Sequence, residues 1–270
     1  MAALILDDVD DARLEPFRHI GDHRWLTAHG LFVIEGRLVV SRLLASTHRV
    51  RAVLVTAAAH EALRPALPDS KHPPVYVVPK AWMERLTGFN LHRGCLAVAD
   101  RPASRSVDDL LQARPRRLLV LERIGNPDNV GGLFRNALAL DVDGILLGPD
   151  CVDPLYRKAV RVSCGASLVV PFAHVADWPG VLEDLRRAGM SVLAMTPSHD
   201  ATPIEELTSR TGARARIALL LGAEGDGLSP QAQQMADVRV RIPIAADADS
   251  LNVAVAAGIA LHALRELGSG

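Results

Sequence analysis

IPIAADADSLNVAVAAGIALHAL, residues Ile242 to Leu264, joins a strand, a turn and a helix in one short run. Val238, Val240 and Ile242 alternate with Arg239 and Arg241, the period-two pattern of a half-buried strand, and Pro243 then ends backbone donation to a ladder. Asp249 or Ser250 is the expected N-cap of a helix running from Ser250 to Leu267. Val255, Ala256, Ile259, Ala260, Ala263, Leu264 and Leu267 fall on one face of that helix. Asn252 fits this scheme poorly. An amide in the first turn, among Ala and Val, needs donors and acceptors nearby.

Working outward, the strand-like runs RLLVLERI, GILLGP, ASLVVPF, MSVLAMT, RIALLLG and VRVRIPI alternate with helical stretches at Val130–Leu140, Tyr156–Cys164, Pro179–Ala188, Pro230–Met235 and Ser250–Leu267. Continuous apolar strands separated by helices predict a mostly parallel sheet covered on both faces. Ligands in such sheets sit beyond the carboxyl ends of the strands, so the polar loops there carry the chemistry.

Two such loops stand out. ERIGNPDNVGGLFRNALAL (122–140) turns from a strand into a helix, with Asn129 at the turn and Arg135 further along. Those two are about 600° apart on a helix and do not share a face. Helical side chains lean toward the N-terminus, so Arg135 is expected to reach back to Asn129. Gly131 and Gly132 each cost roughly 1 kcal/mol against Ala in a helix, which predicts that a backbone or a ligand comes close. LLLGAEGDGLS (219–229) delivers three glycines and Glu224 to a loop before Pro230, a residue suited to the first helical position. It has neither the G-x-G-x-x-G order of a dinucleotide site nor a P-loop lysine. Between them, VDPLYRKAVRVSCGAS (152–167) places Arg157, Lys158 and Arg161 on a short helix, a basic patch able to hold a phosphodiester.

The first hundred residues have a different texture. LFVIEG, VRAVLVT, PVYVVP and CLAVAD alternate with Arg37–Leu44, Ala57–Leu67 and Lys80–Leu86, a small α/β unit punctuated at Gly36, Pro65 to Pro68 and Gly88. The acidic opening, to about residue 24, reads as a frayed or surface-packed helix. Glu35-Gly36 and Asn90-Leu91-His92-Arg93-Gly94 are its polar spots. Seven of the ten histidines lie here at spacings that match no metal site. Arg101–Arg117 shifts to Pro, Ser and five arginines around one short helical piece. The expected division is therefore a first domain over 1–100, a linker over 101–116 and a second domain over 117–270.

Composition bounds the class. With 270 residues, 49% apolar content and a net charge of -1, the chain is globular, and any nucleic-acid surface is a local patch. Three widely spaced cysteines, Cys95, Cys151 and Cys164, indicate neither a disulfide framework nor a zinc site. No apolar run reaches the roughly eighteen residues of a membrane span. MAALIL lacks the basic flank and length of a signal segment, so a reducing cytoplasm is expected.

N-x-G-x-x-x-R from Asn129 to Arg135, LGAEGDGLS and IPIAADADSLNVAVA, in this order with KAVRVSCGA between them, closely resemble the three motifs of the SpoU/TrmH-type RNA 2'-O-ribose methyltransferases of the SPOUT superfamily. The resemblance spans residues 117–267. VIEG and HRGCLAVA more loosely resemble the L30e-like RNA-binding domain found in that family. The resemblance implies an α/β fold with a trefoil-knotted parallel-sheet domain behind a smaller L30e-like domain, and a homodimer formed through the knotted domain. It also implies S-adenosylmethionine as cofactor, structured ribosomal or transfer RNA as partner, and no metal or membrane. Gly222, Ile242 and Leu251 would hold the cofactor through backbone groups, with Leu221, Ala223, Ile244 and Ala256 as lining. Ile244 stands where the family usually has Met, and Ala246 where it usually has Gly.

Carried over in the same way, Arg135 would act at a ribose 2'-hydroxyl, with Asn129 orienting it and Glu224, Ser250 and Asn252 fixing the ribose or the guanidinium. A guanidinium stays protonated below a pH of about 12, so the expectation is that Arg135 grips the adjacent phosphate and lowers the pKa of the hydroxyl. Two rivals remain. One is a non-catalytic RNA-binding or ribosome-assembly protein on the same fold. The other is a nicotinamide-dependent dehydrogenase, which lacks its glycine fingerprint here.

Overall fold

The computed structural model describes residues 3–67, 73–88, 94–210 and 216–265. The polar segment at Asn90–Arg93, with its His92, and the proposed helix end at Leu267 lie outside them. The chain divides into two compact units. One contains residues 1–103 and 155–168, the other residues 104–154 and 169–270.

In the first unit, β1 (Leu4–Ile5) precedes α1 (Glu15–Arg18) and α2 (His23–Ala28), and β2 (Leu31–Glu35) leads through Gly36 into α3 (Arg37–Leu44). There follow β3 (Val50–Val55), α4 (Ala57–Leu63), β4 (Val75–Val77), α5 (Lys80–Thr87) and β5 (Cys95–Asp100). The five strands are ordered β1-β4-β3-β5-β2. β5 runs antiparallel to both its neighbours, and its residues Cys95–Ala99 are all buried. Burial on both faces explains their unbroken apolar run. The opening segment is no single helix. It adds an edge strand and short helical turns that lay Leu6, Val9, Leu14, Phe17, Ile20 and Leu26 on the core beside Leu54 and Val98. α4 stops at Leu63 rather than Leu67, because Pro65, without an N–H, diverts the chain into the 3-10 turn Arg64–Ala66.

The second unit opens with α6 (Val107–Gln112), inside the stretch read as a linker. Ser106 Oγ accepts from the Asp109 N–H at 3.1 Å and the Asp109 carboxylate accepts from the Ser106 N–H at 2.8 Å, a reciprocal cap. β6 (Arg117–Leu121), α7 (Pro127–Ala139) and β7 (Gly144–Leu147) follow. α8 (Arg157–Val162) belongs to the first unit. The chain then continues through β8 (Phe172–His174), α9 (Val181–Arg187), β9 (Ser191–Met195), β10 (Thr202–Pro203) and α10 (Ile204–Arg210). It ends with β11 (Ile217–Leu221), α11 (Pro230–Met235), β12 (Val238–Arg241) and α12 (Val253–Ala263). The seven strands are all parallel, in the order β10-β12-β9-β11-β6-β7-β8.

Several expectations change here. ASLVVPF gives a 3-10 turn at Ala166–Leu168 and only then a strand from Phe172. β10 and α10 were not anticipated. α7 starts at Pro127, capped by Asn126, which puts Asn129 inside its first turn. The N-cap of α12 is Asn252, not Asp249 or Ser250. Its buried stripe is Val253, Ala257, Ala260, Leu261 and Leu264, whereas Val255 and Ile259 are exposed. An all-apolar helix carries too little contrast for periodicity to choose its buried face.

Gly132 has its reason in the packing of α7 on α12. A Cβ there would meet the Ala254 Cβ at 2.8 Å, and Asn136 Nδ2 donates to the Ala254 carbonyl at 2.6 Å. The close approach is helix to helix.

Candidate active site

β6, β9, β11 and β12 all point their carboxyl ends the same way, as parallel strands must, and a cavity of about 400 Å³ opens beyond the last three. Its wall is built from Leu221, Gly222, Ala223, Glu224, Gly225 and Gly227 after β11, and from Ile242, Ile244, Ser250, Leu251, Asn252, Val253 and Ala256 around the turn into α12. The end of β9 adds Met195, Thr196 and Pro197, which the sequence did not single out because a strand end with one hydroxyl has no distinctive pattern.

The glycine loop is shaped by close contact. A Cβ on Gly222 would lie 2.3 Å from the Gly227 carbonyl carbon and 2.4 Å from the Leu228 nitrogen, so no other residue fits without displacing the backbone. Gly225 and Gly227 have φ of 88° and 67°, where side chains are disfavoured. The Gly227 N–H donates to the Ala223 carbonyl at 3.1 Å and closes the turn.

Asn252 does two jobs with one amide. Its Oδ1 accepts from the backbone N–H groups of Ala254 (3.0 Å) and Val255 (3.3 Å), capping α12. Its Nδ2 donates to Asn129 Oδ1 at 2.8 Å and to Glu224 Oε1 at 2.9 Å. The cap fixes the amide's orientation, because only the oxygen can accept. Three loops are thereby tied together: buried Asn129 from α7, Asn252 from α12 and exposed Glu224 from the glycine loop.

Arg135 is not part of this constellation within one chain. It lies exposed on α7, outside the cavity wall, and makes no hydrogen bond to Asn129. Its tilt toward the helix N-terminus does not overcome the difference in face, so the expected reach fails. Arg157, Lys158 and Arg161 lie in the first unit, where the Glu35 carboxylate pairs with Arg157 and, at 3.4 Å, with Arg161. Glu35 thus joins the basic helix directly.

A second set of contacts supports the glycine loop from beneath. Glu122, at the end of β6, is only 2% exposed. Its Oε1 accepts from Trp178 Nε1 and its Oε2 from the Ser229 N–H, each at 2.7 Å. Arg123 follows with a left-handed φ of 57°, and its guanidinium donates to the Gly227 carbonyl at 3.2 Å. The sequence reading passed over both as the tail of a strand. The signal was a carboxylate closing an otherwise apolar run.

Burial holds the Cys151 thiol up at about 11 and the Cys95 thiol at about 12. Neither sulfur lines the cavity. Among the described residues, no group of three or more His, Cys, Asp or Glu side chains is placed to hold a metal ion, and no helix is long and apolar enough to cross a membrane.

Comparison with known proteins places this geometry. An uncharacterised tRNA/rRNA methyltransferase of Mycobacterium tuberculosis is 43% identical over 94% of this chain and 89% of its own length. The 23S rRNA (guanosine-2'-O-)-methyltransferase RlmB of Vibrio parahaemolyticus is 33% identical over 63% of this chain and 68% of its own. Among solved structures, the AdoMet-bound rRNA methyltransferase from Sinorhizobium meliloti superposes with a TM-score of 0.78 at 23% identity, covering 99% of both chains. The SpoU methyltransferase AviRb from Streptomyces viridochromogenes, in complex with AdoMet, gives 0.79 at 24%, covering 94% of this chain and 98% of its own. The family model described as the SpoU rRNA Methylase family matches residues 116–262, and the chain belongs to that family.

Proposed function

We propose that this protein is an S-adenosylmethionine-dependent methyltransferase acting on ribosomal or transfer RNA, and that it methylates a ribose 2'-hydroxyl. The observation that carries this reading is the hydrogen-bonded chain Asn129–Asn252–Glu224 at the edge of an apolar, glycine-bordered cavity. Membership of the family and the names of its RNA-modifying relatives support the reaction class. RlmB, a 2'-O enzyme by name, supports the ribose as target.

The cavity suits the cofactor by its own chemistry. Leu221, Ile242, Ile244, Leu251 and Ala256 offer an apolar wall to a purine ring, and Gly222 joins the same wall. Once bound, the sulfonium supplies an activated methyl group, and the protein's task is to present a nucleophile in line and to manage its proton. Glu224, fixed through Asn252, and the Ser250 hydroxyl hold the ribose at the cavity mouth. Asn129 sets Asn252 and so acts through it.

Arg135 works in a homodimer. It stands one turn before Leu138, which is 42% exposed, and α12 exposes Val255 and Ile259 at 51% and 42%. An apolar helix surface of this kind suits a second copy. Arg135 then serves the neighbouring copy's cavity, gripping the phosphate beside the reacting ribose as a permanently charged donor. Lys158 and Arg161 add phosphate contacts. We read 242–264 as the threaded part of a trefoil knot, supported by the seating of β12 between β9 and β10 and by the return of 242–252 beside the Gly222 loop.

The test pairs calorimetric titration with S-adenosylmethionine and mapping of ribose methylation after incubation with RNA from a strain lacking the gene. Saturable binding together with a new 2'-O-methyl nucleotide is expected. Methyl transfer to a base would overturn the ribose assignment. Binding without transfer to any RNA would favour the non-catalytic alternative.

A further inference from the structure

The glycine loop is built on residues of wide conformational freedom. Three of its residues are glycine, and Gly225 and Gly227 adopt conformations with positive φ. What fixes it is its return leg, Gly227 to Ser229, because Gly222 packs on Gly227 and Leu228 with no room for a Cβ. Gln233 Nε2 donates to the Leu228 carbonyl of that leg at 3.0 Å, and the end of β6 holds the residues on either side. Glu122 receives the Ser229 N–H at 2.7 Å and Arg123 donates to the Gly227 carbonyl at 3.2 Å.

We propose that Glu122 and Arg123 are positioning residues for the cofactor-binding loop, a pair of consecutive polar side chains that clamps its return leg and so sets where Gly222 stands. The two ends of the clamp are complementary in kind: a carboxylate takes a backbone N–H and a guanidinium takes a backbone carbonyl. Glu122 is turned into the interior, and the backbone at the next residue, Arg123, is left-handed. Trp178 occupies the second oxygen of Glu122 at 2.7 Å and keeps the carboxylate from swinging away. Neither residue lines the cavity, so their influence on the cofactor passes through the loop.

This inference rests on the proposed cofactor, and the test separates the two. Glu122→Gln keeps the shape but turns an NH₂ toward one of two N–H donors. Arg123→Met keeps the stem and removes the donor. Each is measured for S-adenosylmethionine affinity, for KM against kcat, for thermal unfolding without cofactor, and for amide exchange over residues 222–229. A rise in Kd and KM of about tenfold, as expected for one lost charged hydrogen bond, is predicted. Saturated kcat should stay within about threefold, with faster exchange confined to the loop. Unchanged Kd and unchanged loop exchange in folded variants would overturn the clamp, as would lower unfolding temperature with no change in affinity. If Glu122→Gln does not fold, Arg123→Met decides alone. Wild-type protein that fails to bind the cofactor sinks the functional reading instead, while loop exchange still judges the clamp.

Discussion

At Asn252 a single amide caps a helix with its oxygen and ties Asn129 to Glu224 with its nitrogen. Substitution can separate these jobs. Asp is as good an N-cap as Asn, but Asn252→Asp replaces the donor with a second acceptor facing the Asn129 oxygen and the Glu224 carboxylate. The expected outcome is a protein that melts close to the wild type while kcat/KM falls by about tenfold to a hundredfold, in line with the loss of one or two hydrogen bonds to polar and charged partners. Steady-state kinetics beside thermal unfolding checks it. The sequence announced Asn252 as a residue out of place, because an amide among alanines and valines is conspicuous. It hid Glu122, which follows four apolar strand residues and looks like the point where a strand meets solvent, though it is buried. Arg135 shows the limit of a local argument: helix geometry says which face a side chain occupies, and here that face leads away from the cavity of its own chain.

Among the elements, α7 and α12 approach so closely that Gly132 and Ala254 nearly touch. Gly132→Val is expected to lower the unfolding free energy by about 1–3 kcal/mol through overpacking, read from urea denaturation. Ala254→Gly in the same chain should recover part of it. Gly132 was legible as a demand for close approach, since glycine in a helix interior is otherwise unfavourable. Which partner approached was not, because a helix and a ligand make the same demand. The buried face of α12 was misjudged for a related reason: when almost every residue is apolar, only tertiary packing decides which ones are covered. The sheet itself was easily read from its continuous apolar strands, except where β8 begins late and where two-residue β10 is too short to leave a period.

For the molecule as a whole, the proposed homodimer makes a sharp prediction about complementation. Arg135→Ala chains should be nearly inactive alone, and Asn252→Asp chains should keep about a tenth of wild-type activity or less. Mixed and allowed to exchange, they should regain up to about a quarter of wild-type activity if Arg135 acts in trans, since one of the two cavities in a mixed dimer then has all its parts. No recovery would place Arg135 in cis or out of the reaction. Ile259→Lys should shift the protein to monomer in sedimentation and abolish methylation, because a lysine is poorly tolerated at the centre of an apolar interface.

The grouping of Leu155–Leu168 with the first hundred residues bears on any attempt to study the halves apart. α8 packs against β2 and is paired to Glu35, so a protease nick or engineered cut near Arg105 would separate that helix from its bed and leave Ala159 and Val160, both fully buried in the intact chain, wet. A fragment starting at Ser104 should be sticky and poorly soluble. Mutational work on recognition is therefore better carried out by point changes within the uncut polypeptide.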